Sequence, residues 1–223
     1  MRVSFLVPAY NEAATIGELL DRVAALDLDK QVVVVDDGST DGTAEIAEGR
    51  GALVLRQANR GKGAAVRAGI PHVDGDIVVI QDADLEYDPV DVPALIDPIV
   101  RGVADVVFGS RLSGGRPQRA YLFWHLVGNK FLSLLTSVLF NTTISDMETG
   151  YKAFRTEVLR SLDLKEDDFA IEPEITGKVC RRHLRVYELP IAYYGRTYAE
   201  GKKITWRDGL KAAWVLVRVR LTG

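Results

Sequence analysis

Two aspartates separated by one alanine, Asp82-Ala83-Asp84, with Glu86 close behind, follow the apolar run Ile77-Val78-Val79-Ile80 and Gln81. Carboxylates spaced this way on a turn leaving a strand can aim at one point, and hard divalent cations prefer such oxygen ligands. Asp82, Asp84 and Glu86 are therefore a candidate site for Mg2+ or Mn2+. The same triplet also suits turn chemistry on a solvated loop, and residue type alone leaves both readings standing. A second acidic loop, Asp36-Asp37-Gly38-Ser39-Thr40-Asp41-Gly42, follows Val32-Val33-Val34-Val35. Carboxylates placed straight after so apolar a strand need hydrogen-bond donors. Asp37 could accept from the ring N–H of a base, while Asp36 could cap the next helix and Gly38 serve the turn. A third cluster, Asn59-Arg60-Gly61-Lys62-Gly63, precedes a helical stretch. Its glycines would let backbone approach a ligand, and Lys62 or Arg60 offers charge to a phosphate. Val66 stands where the third small residue of a dinucleotide fingerprint would fall, and no P-loop pattern occurs, so dehydrogenase and P-loop NTPase readings are poor.

In an open parallel sheet, ligands bind beyond the carboxyl ends of the strands, where these clusters sit. β-Branched runs predict strands at 3–7, 31–35, 52–55, 77–81 and 105–108, with helices from Asn11 to Leu26, from Gly42 to Arg50, after Gly63 and after Pro89. That alternation is the mark of βαβ units and a mostly parallel sheet flanked by helices, and the unbroken apolar runs suit strands covered on both faces. Beyond the loop Gly114-Gly115-Arg116-Pro117 the character changes. A helix is expected from Ala120 to Phe140, strands at 150–154 and 185–193, and an amphipathic terminal helix from Trp206 to Leu221. No internal repeat or low-complexity linker divides the chain.

At 223 residues, 47 % hydrophobic and 26 % charged, the chain can bury a full α/β core without disulfides. The single cysteine, Cys180, excludes an intrachain disulfide and a Cys-based zinc site, suits a reducing compartment and is itself expected to be inert. The run Val3-Ser4-Phe5-Leu6-Val7 begins close to Met1, leaving no room for a signal peptide, so a cytoplasmic location is expected. The best candidate for a membrane span, Leu122 to Ile144, is interrupted by His125, Asn129, Lys130 and Asn141, and no crossing is expected. Net charge is only −3, yet eleven Lys/Arg face three Asp/Glu between Thr176 and Gly223. This asymmetry points to an anionic partner, either phosphate groups or an anionic membrane surface, with a solvated basic helix face as the plain alternative. His72, His125 and His183 lack ligand-like spacing.

Together, Val7-Pro8-Ala9-Tyr10-Asn11-Glu12, the loop from Val35 to Gly42, Asn59-Arg60-Gly61-Lys62-Gly63 and Asp82-Ala83-Asp84-Leu85-Glu86 resemble family 2 glycosyltransferases of the GT-A fold. Gly109-Ser110-Arg111, the stretch Asp146-Met147-Glu148-Thr149-Gly150-Tyr151-Lys152-Ala153-Phe154, and Arg196 to Lys202 are similar to the polyprenyl-phosphate branch, of which dolichyl-phosphate mannosyltransferases are the familiar members. The resemblance covers nearly the whole chain. It implies a single GT-A domain over residues 1–223, with 1–110 binding a nucleotide sugar and 111–223 facing an acceptor or lipid, and no nucleic-acid partner. It implies that Pro8, Tyr10, Glu12 and Asp37 hold the nucleoside. Asp82 and Ala83 would lie beside ribose and diphosphate, and Asp84 with Glu86 would ligate the metal. Arg111, Arg196 and Lys202 would meet donor or acceptor phosphates. The branch often carries Gln in place of Glu86, so this chain adds charge at the metal. It also often carries Ser in place of Gly201, which leaves the register of Lys202 against Lys203 open.

The implied reaction is inverting transfer of a hexose from GDP-mannose or a UDP-sugar to a polyprenyl phosphate, with a metal neutralising the leaving diphosphate. A hydroxyl acceptor would require a general base, and Asp146 and Glu172 are the candidates. A lipid phosphate is already an anion and calls for a basic pocket instead. Leu122 to Phe140 and Trp206 to Leu221 pair apolar faces with cationic or aromatic edges, as helices lying on an anionic membrane do; ordinary packing against the sheet predicts the same pattern. The competing functions are a same-fold transferase acting on a hydroxyl, a nucleotidyltransferase, which would open with a Gly- and Arg-rich loop where this chain has Pro8-Ala9-Tyr10-Asn11-Glu12, and a non-catalytic membrane-associated binding module.

Overall fold

The computed structural model describes residues 1–119, 122–196 and 206–222. Its strands are β1 (Val3–Ala9), β2 (Lys30–Asp36), β3 (Leu53–Arg56), β4 (Ile77–Ile80), β5 (Val106–Ser110), β6 (Lys152–Arg155) and β7 (Val186–Pro190). Its helices are α1 (Ile16–Ala24), α2 (Thr43–Glu48), α3 (Lys62–Gly69), α4 (Val92–Val100), α5 (Phe123–Phe140), α6 (Thr156–Ser161), α7 (Ile171–Arg181) and α8 (Trp206–Thr222).

The strands form one sheet in the order β3-β2-β1-β4-β6-β5-β7. β1, β2, β3 and β4 run parallel, as does the β5–β7 pair, while β6 is antiparallel to both β4 and β5. The expected mostly parallel sheet is therefore present, with one reversed strand inserted beside β4. Alternation along each strand feeds two cores. Leu6, Val33, Val78, Phe108 and Phe154 face the layer of α3 and α5 to α8, and Phe5, Val34, Val79 and Ala153 face α1 and α4. This two-sided burial explains runs such as Val32–Val35, apolar at every position.

Three departures from the sequence pattern have physical causes. The helix expected from Asn11 begins only at Ile16, because Asn11 lies in the left-handed region (φ 54°) and its loop is tied to the neighbouring one. α7 escaped the periodicity because its buried face carries Glu172 and Glu174, charges that normally mark a solvent face. α5 is the third. Its polar Asn129, Ser133 and Thr136 turn inward with Leu132 and Phe140, while Phe123, Trp124, Val127, Phe131, Leu134 and Val138 face outward. The helix has the length and apolar composition of a membrane span, although the polar residues interrupting it had argued against one.

α8 packs Ala212, Val215, Leu216 and Val219 inward, and Gly177 of α7 leaves the space that Val219 fills. Leu210, Trp214, Val217 and Leu221 are exposed. The basic C-terminal region is less available to outside anions than its charge count suggests. Lys211 pairs with Glu166 (3.0 Å) and Asp168 (2.7 Å), Arg218 with Glu166 (2.8 Å) and Arg185 with Asp105 (2.6 Å), while Arg181 donates to carbonyls of Val219 and Arg220. Cys180 is buried, and burial pushes its thiol up to about 12, consistent with an inert side chain.

Candidate active site

The loops after β1 and β2 are laced together at the strand ends. Asp37 N–H donates to the Ala9 carbonyl, Asn11 N–H to Ser39 Oγ, Thr40 N–H to Asn11 Oδ1, Glu12 N–H to Thr43 Oγ1 and Ala13 N–H to Asp41. Asp41 also accepts from Thr43 N–H and Oγ1 at the start of α2, so the helix-opening aspartate is Asp41. Asp36 instead accepts from Ser39 N–H in a local turn.

Asp37, expected on the nucleoside, accepts three hydrogen bonds from the protein. Its Oδ1 accepts from Gln57 Nε2 (2.7 Å) and Arg60 N–H (2.9 Å), and its Oδ2 from Gly61 N–H (2.7 Å). These bonds hold the Asn59–Gly63 loop in place. The glycines of that loop face other backbone rather than a ligand: a Cβ on Gly61 would collide with the Asp167 carbonyl and one on Gly63 with the Glu166 carbonyl, and Ala64 N–H donates to Asp167 O. Gly38 serves the same packing, with a positive φ and no room for a Cβ against Asn59 N. Pro8 and Ala83 are buried, so a ligand would meet their backbone rather than their side chains, whereas Tyr10 is exposed at the strand end.

The acidic triplet lies on a turn in which Leu85 is left-handed (φ 60°), a costly conformation for a branched side chain, and Glu86 N–H donates to Asp84 Oδ1 (3.1 Å). Tyr87 anchors the turn by stacking on Tyr151, with ring centroids 5.1 Å apart. The three proposed metal ligands are not gathered into one cluster, and no group of three or more metal-ligating side chains occurs among the described residues. Asp82 pairs with Lys62 Nζ (2.7 Å), Asp84 pairs with Arg196 Nη2 (3.1 Å), and the Glu86 oxygens accept from Tyr193 Oη (2.7 Å) and Arg196 N–H (2.7 Å). Arg196 Nη2 also meets both oxygens of Glu12, at 3.0 and 2.9 Å. The donor set nevertheless suits a hard divalent ion. Its ligands are carboxylate oxygens, and the position between Glu12 and Asp84 already holds a cation in the form of a guanidinium.

Lys62 links this region to a buried one, with Nζ 3.0 Å from Glu172 Oε1, while Glu172 Oε2 pairs with Lys152. Burial opposes the charge on Lys62, but Asp82 and Glu172 outweigh it and raise its pKa. Burial likewise pushes Glu172 up, and Lys152 and Lys62 more than reverse this, holding it below the usual range. Gly150 lets the cluster close, since a Cβ there would lie 2.7 Å from Lys62 Nζ.

Arg111, following β5, forms a two-pronged pair with fully buried Asp146. Nε and Nη2 donate to the two oxygens at 2.7 Å each, Arg111 N–H adds a bond at 2.8 Å, and Asn129 of α5 donates to Oδ1 at 2.8 Å. Burial raises the Asp146 carboxyl, Arg111 outweighs it, and the net pKa is lowered. Neither candidate base is therefore free to take a proton. Arg111 also lies over the Tyr193 ring at 5.2 Å, so Tyr193 joins Arg111 to Glu86.

Glu12, Asp84, Glu86 and Arg196 are thus brought together, as are Lys62 and Asp82, and Arg111 and Asp146. Lys202 lies outside the described residues. Tyr193, Lys152 and Asn129 were not anticipated; their roles depend on partners remote in sequence, and only Lys152 lay within a recognisable stretch.

The family model described as "Glycosyl transferase family 2" matches residues 4–163. Among curated relatives, an undecaprenyl-phosphate mannosyltransferase of Micrococcus luteus is 30 % identical over 250 residues, covering 99 % of both chains. Glycosyltransferase AglJ of Haloferax volcanii is 34 % identical over 195 residues, covering 87 % of this chain and 63 % of the relative, so this chain spans less than two thirds of that protein's length. Among solved structures, glucosyl-3-phosphoglycerate synthase of Mycobacterium tuberculosis, in complex with Mn2+, UDP-glucose and phosphoglyceric acid, superposes with a TM-score of 0.76 at 24 % identity, covering 98 % of this chain and 79 % of that one.

Proposed function

The chain belongs to glycosyl transferase family 2 and has the GT-A fold, and on that premise we propose that it transfers a hexose, with inversion, from a nucleotide-diphosphate sugar to the phosphate of a polyprenyl lipid. The observation that carries the choice of acceptor is the state of the two candidate bases. Asp146 is neutralised by Arg111 and Glu172 by two lysines, so neither is available to deprotonate a hydroxyl. A phosphate acceptor brings its own anionic nucleophile. The relative named as an undecaprenyl-phosphate mannosyltransferase supports the same choice.

In this reading residues 1–110 hold the donor. The laced loops after β1 and β2 present Tyr10 and the backbone around Pro8 to the nucleoside, and Lys62 and Arg196 face the diphosphate. Asp84 would hold a bound Mg2+ or Mn2+, joined by Asp82 and Glu86 on release from Lys62 and from the Tyr193–Arg196 segment; the ion would supply positive charge to the departing diphosphate. Arg111, kept oriented by Asp146 and Tyr193, stands on the acceptor side and brings its positive charge to the incoming phosphate.

The outward faces of α5 and α8 suit an enzyme whose acceptor is dissolved in a bilayer. Trp124, Phe131, Val138, Trp214 and Leu221 are exposed, and Arg218 stacks on Trp214 at 5.0 Å. Aromatic and aliphatic side chains edged by cations are what a helix lying in the headgroup layer requires, and we assign the molecule a peripheral position on the cytoplasmic face.

The test is turnover of UDP- and GDP-sugars with polyprenyl phosphate in the presence of Mn2+ or Mg2+. Wild type is expected to transfer to the lipid, and Asp84→Ala to lose roughly a thousandfold in kcat/KM, in line with removal of a main electrostatic element. Transfer to a sugar hydroxyl with none to the lipid would reject the acceptor assignment. Full activity of Asp84→Ala would reject the site.

A further inference from the structure

Among the described residues, the other carboxylates of the cleft have partners: Glu12 and Asp84 face Arg196, Asp82 faces Lys62, Glu86 accepts two hydrogen bonds, Glu172 faces two lysines, and Asp146 faces Arg111 and Asn129. Glu148 is the exception. It is half-buried, and its Oε1 is enclosed without a hydrogen-bond partner. It lies on the segment that joins the two halves of the site, between Asp146, bound to Arg111, and Gly150, whose backbone lies against Lys62 and Asp82.

The charges acting on Glu148 come from every side of this junction. Glu172 of α7 and Asp146 of its own segment oppose its ionisation, and Lys152 of β6 and Arg111 favour it. The two cations are already matched, Lys152 by Glu172 and Arg111 by Asp146, so neither is left to Glu148 alone. Burial, reinforced by Glu172, pushes the carboxyl up to about 7. A phosphate monoester has its second ionisation near ~6. Such a phosphate arriving beside Glu148 would raise the carboxyl further, setting a neutral acid next to an anion rich in acceptors.

We propose that Glu148 is a further acceptor-binding residue, its carboxyl O–H donating a hydrogen bond to a phosphate oxygen of the acceptor monoester. The proposal deepens, and rests on, the phosphate-acceptor reading given above. No bond is made or broken at Glu148. The attacking phosphate oxygen supplies its own electron pair to the sugar carbon, the diphosphate leaves with the pair of the broken bond, and the Glu148 proton stays on the carboxyl. The residue would also favour acceptors that carry an anionic oxygen at this point, which can take its O–H as a hydrogen bond.

The test compares wild type, Glu148→Ala and Glu148→Gln for polyprenyl-phosphate KM, kcat and metal-dependent donor affinity, from about pH 6 to pH 9. Glu148→Ala is expected to raise the acceptor KM by roughly tenfold or more, with donor affinity little changed. Glu148→Gln, which keeps a donor of the same length, is expected to restore most of that loss. The wild-type acceptor KM should climb as pH rises through about 7 and the acid ionises, a climb that Glu148→Gln should flatten. An unchanged acceptor KM in Glu148→Ala would overturn the proposal. So would a collapse of kcat in Glu148→Gln, which would identify a general base. Should the alanine variant not fold, parallel pH profiles of wild type and Glu148→Gln would overturn it equally. Failure of wild type to use the lipid phosphate at all would count against the acceptor reading itself and is seen before any variant is made.

Discussion

The donor-side loops and the acceptor-side segment both bury carboxylates, and they satisfy them in different ways. On the donor side, the carboxylates of the loop after β2, buried Asp36 and Asp37 and the exposed Asp41, end largely on backbone N–H groups, as where Asp37 gathers Arg60 and Gly61. On the acceptor side, Asp146 and Glu172 are balanced by whole charges, Arg111, Lys62 and Lys152, carried on separate elements. Backbone donors make a rigid cradle that needs no exact counter-charge. Buried ion pairs make a network in which one odd carboxyl, Glu148, is left to respond to whatever charge arrives.

The comparison can be broken at its strongest point first. Asp146→Ala leaves the buried Arg111 guanidinium without its main partner and should cost about 3–5 kcal/mol in denaturant unfolding. The wild-type contribution is present above the ordinary carboxylate range and is lost as pH falls through the lowered Asp146 value, so the gap between the two proteins should narrow in acid. A cost below about 1 kcal/mol would mean that the pair is not the buried keystone described here.

Next in size, Gly63→Ala drives a methyl into the Glu166 carbonyl and should cost about 1–3 kcal/mol through backbone displacement. Because the loop also carries Lys62, donor affinity should fall with it. Loss of donor affinity at unchanged stability would instead restore the reading in which this glycine makes room for a ligand.

The smallest effect on stability is expected on the outer face. Phe131→Ser combined with Val138→Ser should change folding free energy by less than about 0.5 kcal/mol per site, since both side chains are exposed. Sedimentation with anionic vesicles should fall severalfold. A large loss of stability with unchanged vesicle binding would show that this face is covered by protein.

Much of the donor side was legible because its chemistry is local. Strand ends, turn glycines and acidic pairs lie within a few residues of one another, and the apolar runs before them announce a sheet covered on both faces. What the loop residues do was harder to read. Asp37, expected at a base, also anchors the Asn59–Gly63 loop, and Gly61 and Gly63 make room for the backbone of residues 166–168. Residue type reports that a donor or a close approach is needed, and it does not report who supplies it. On the acceptor side, Asn129 reads as an interruption of an apolar helix until the fold turns it toward Asp146, with Ser133 one turn on accepting from Met147 N–H.

By itself the sequence determined the α/β class, the order of most elements, the placing of acidic and glycine-rich loops at strand ends and the family they resemble, because each follows from periodicity or from short-range spacing. Tertiary structure alone decided which charges meet. Arg196 stands between Glu12 and Asp84, two lysines neutralise Glu172, Arg111 locks Asp146, and Glu148 is left unmatched. The physical reason is that a charge's behaviour depends on burial and on partners within a few ångströms, and in this protein those partners come from elements far apart along the chain.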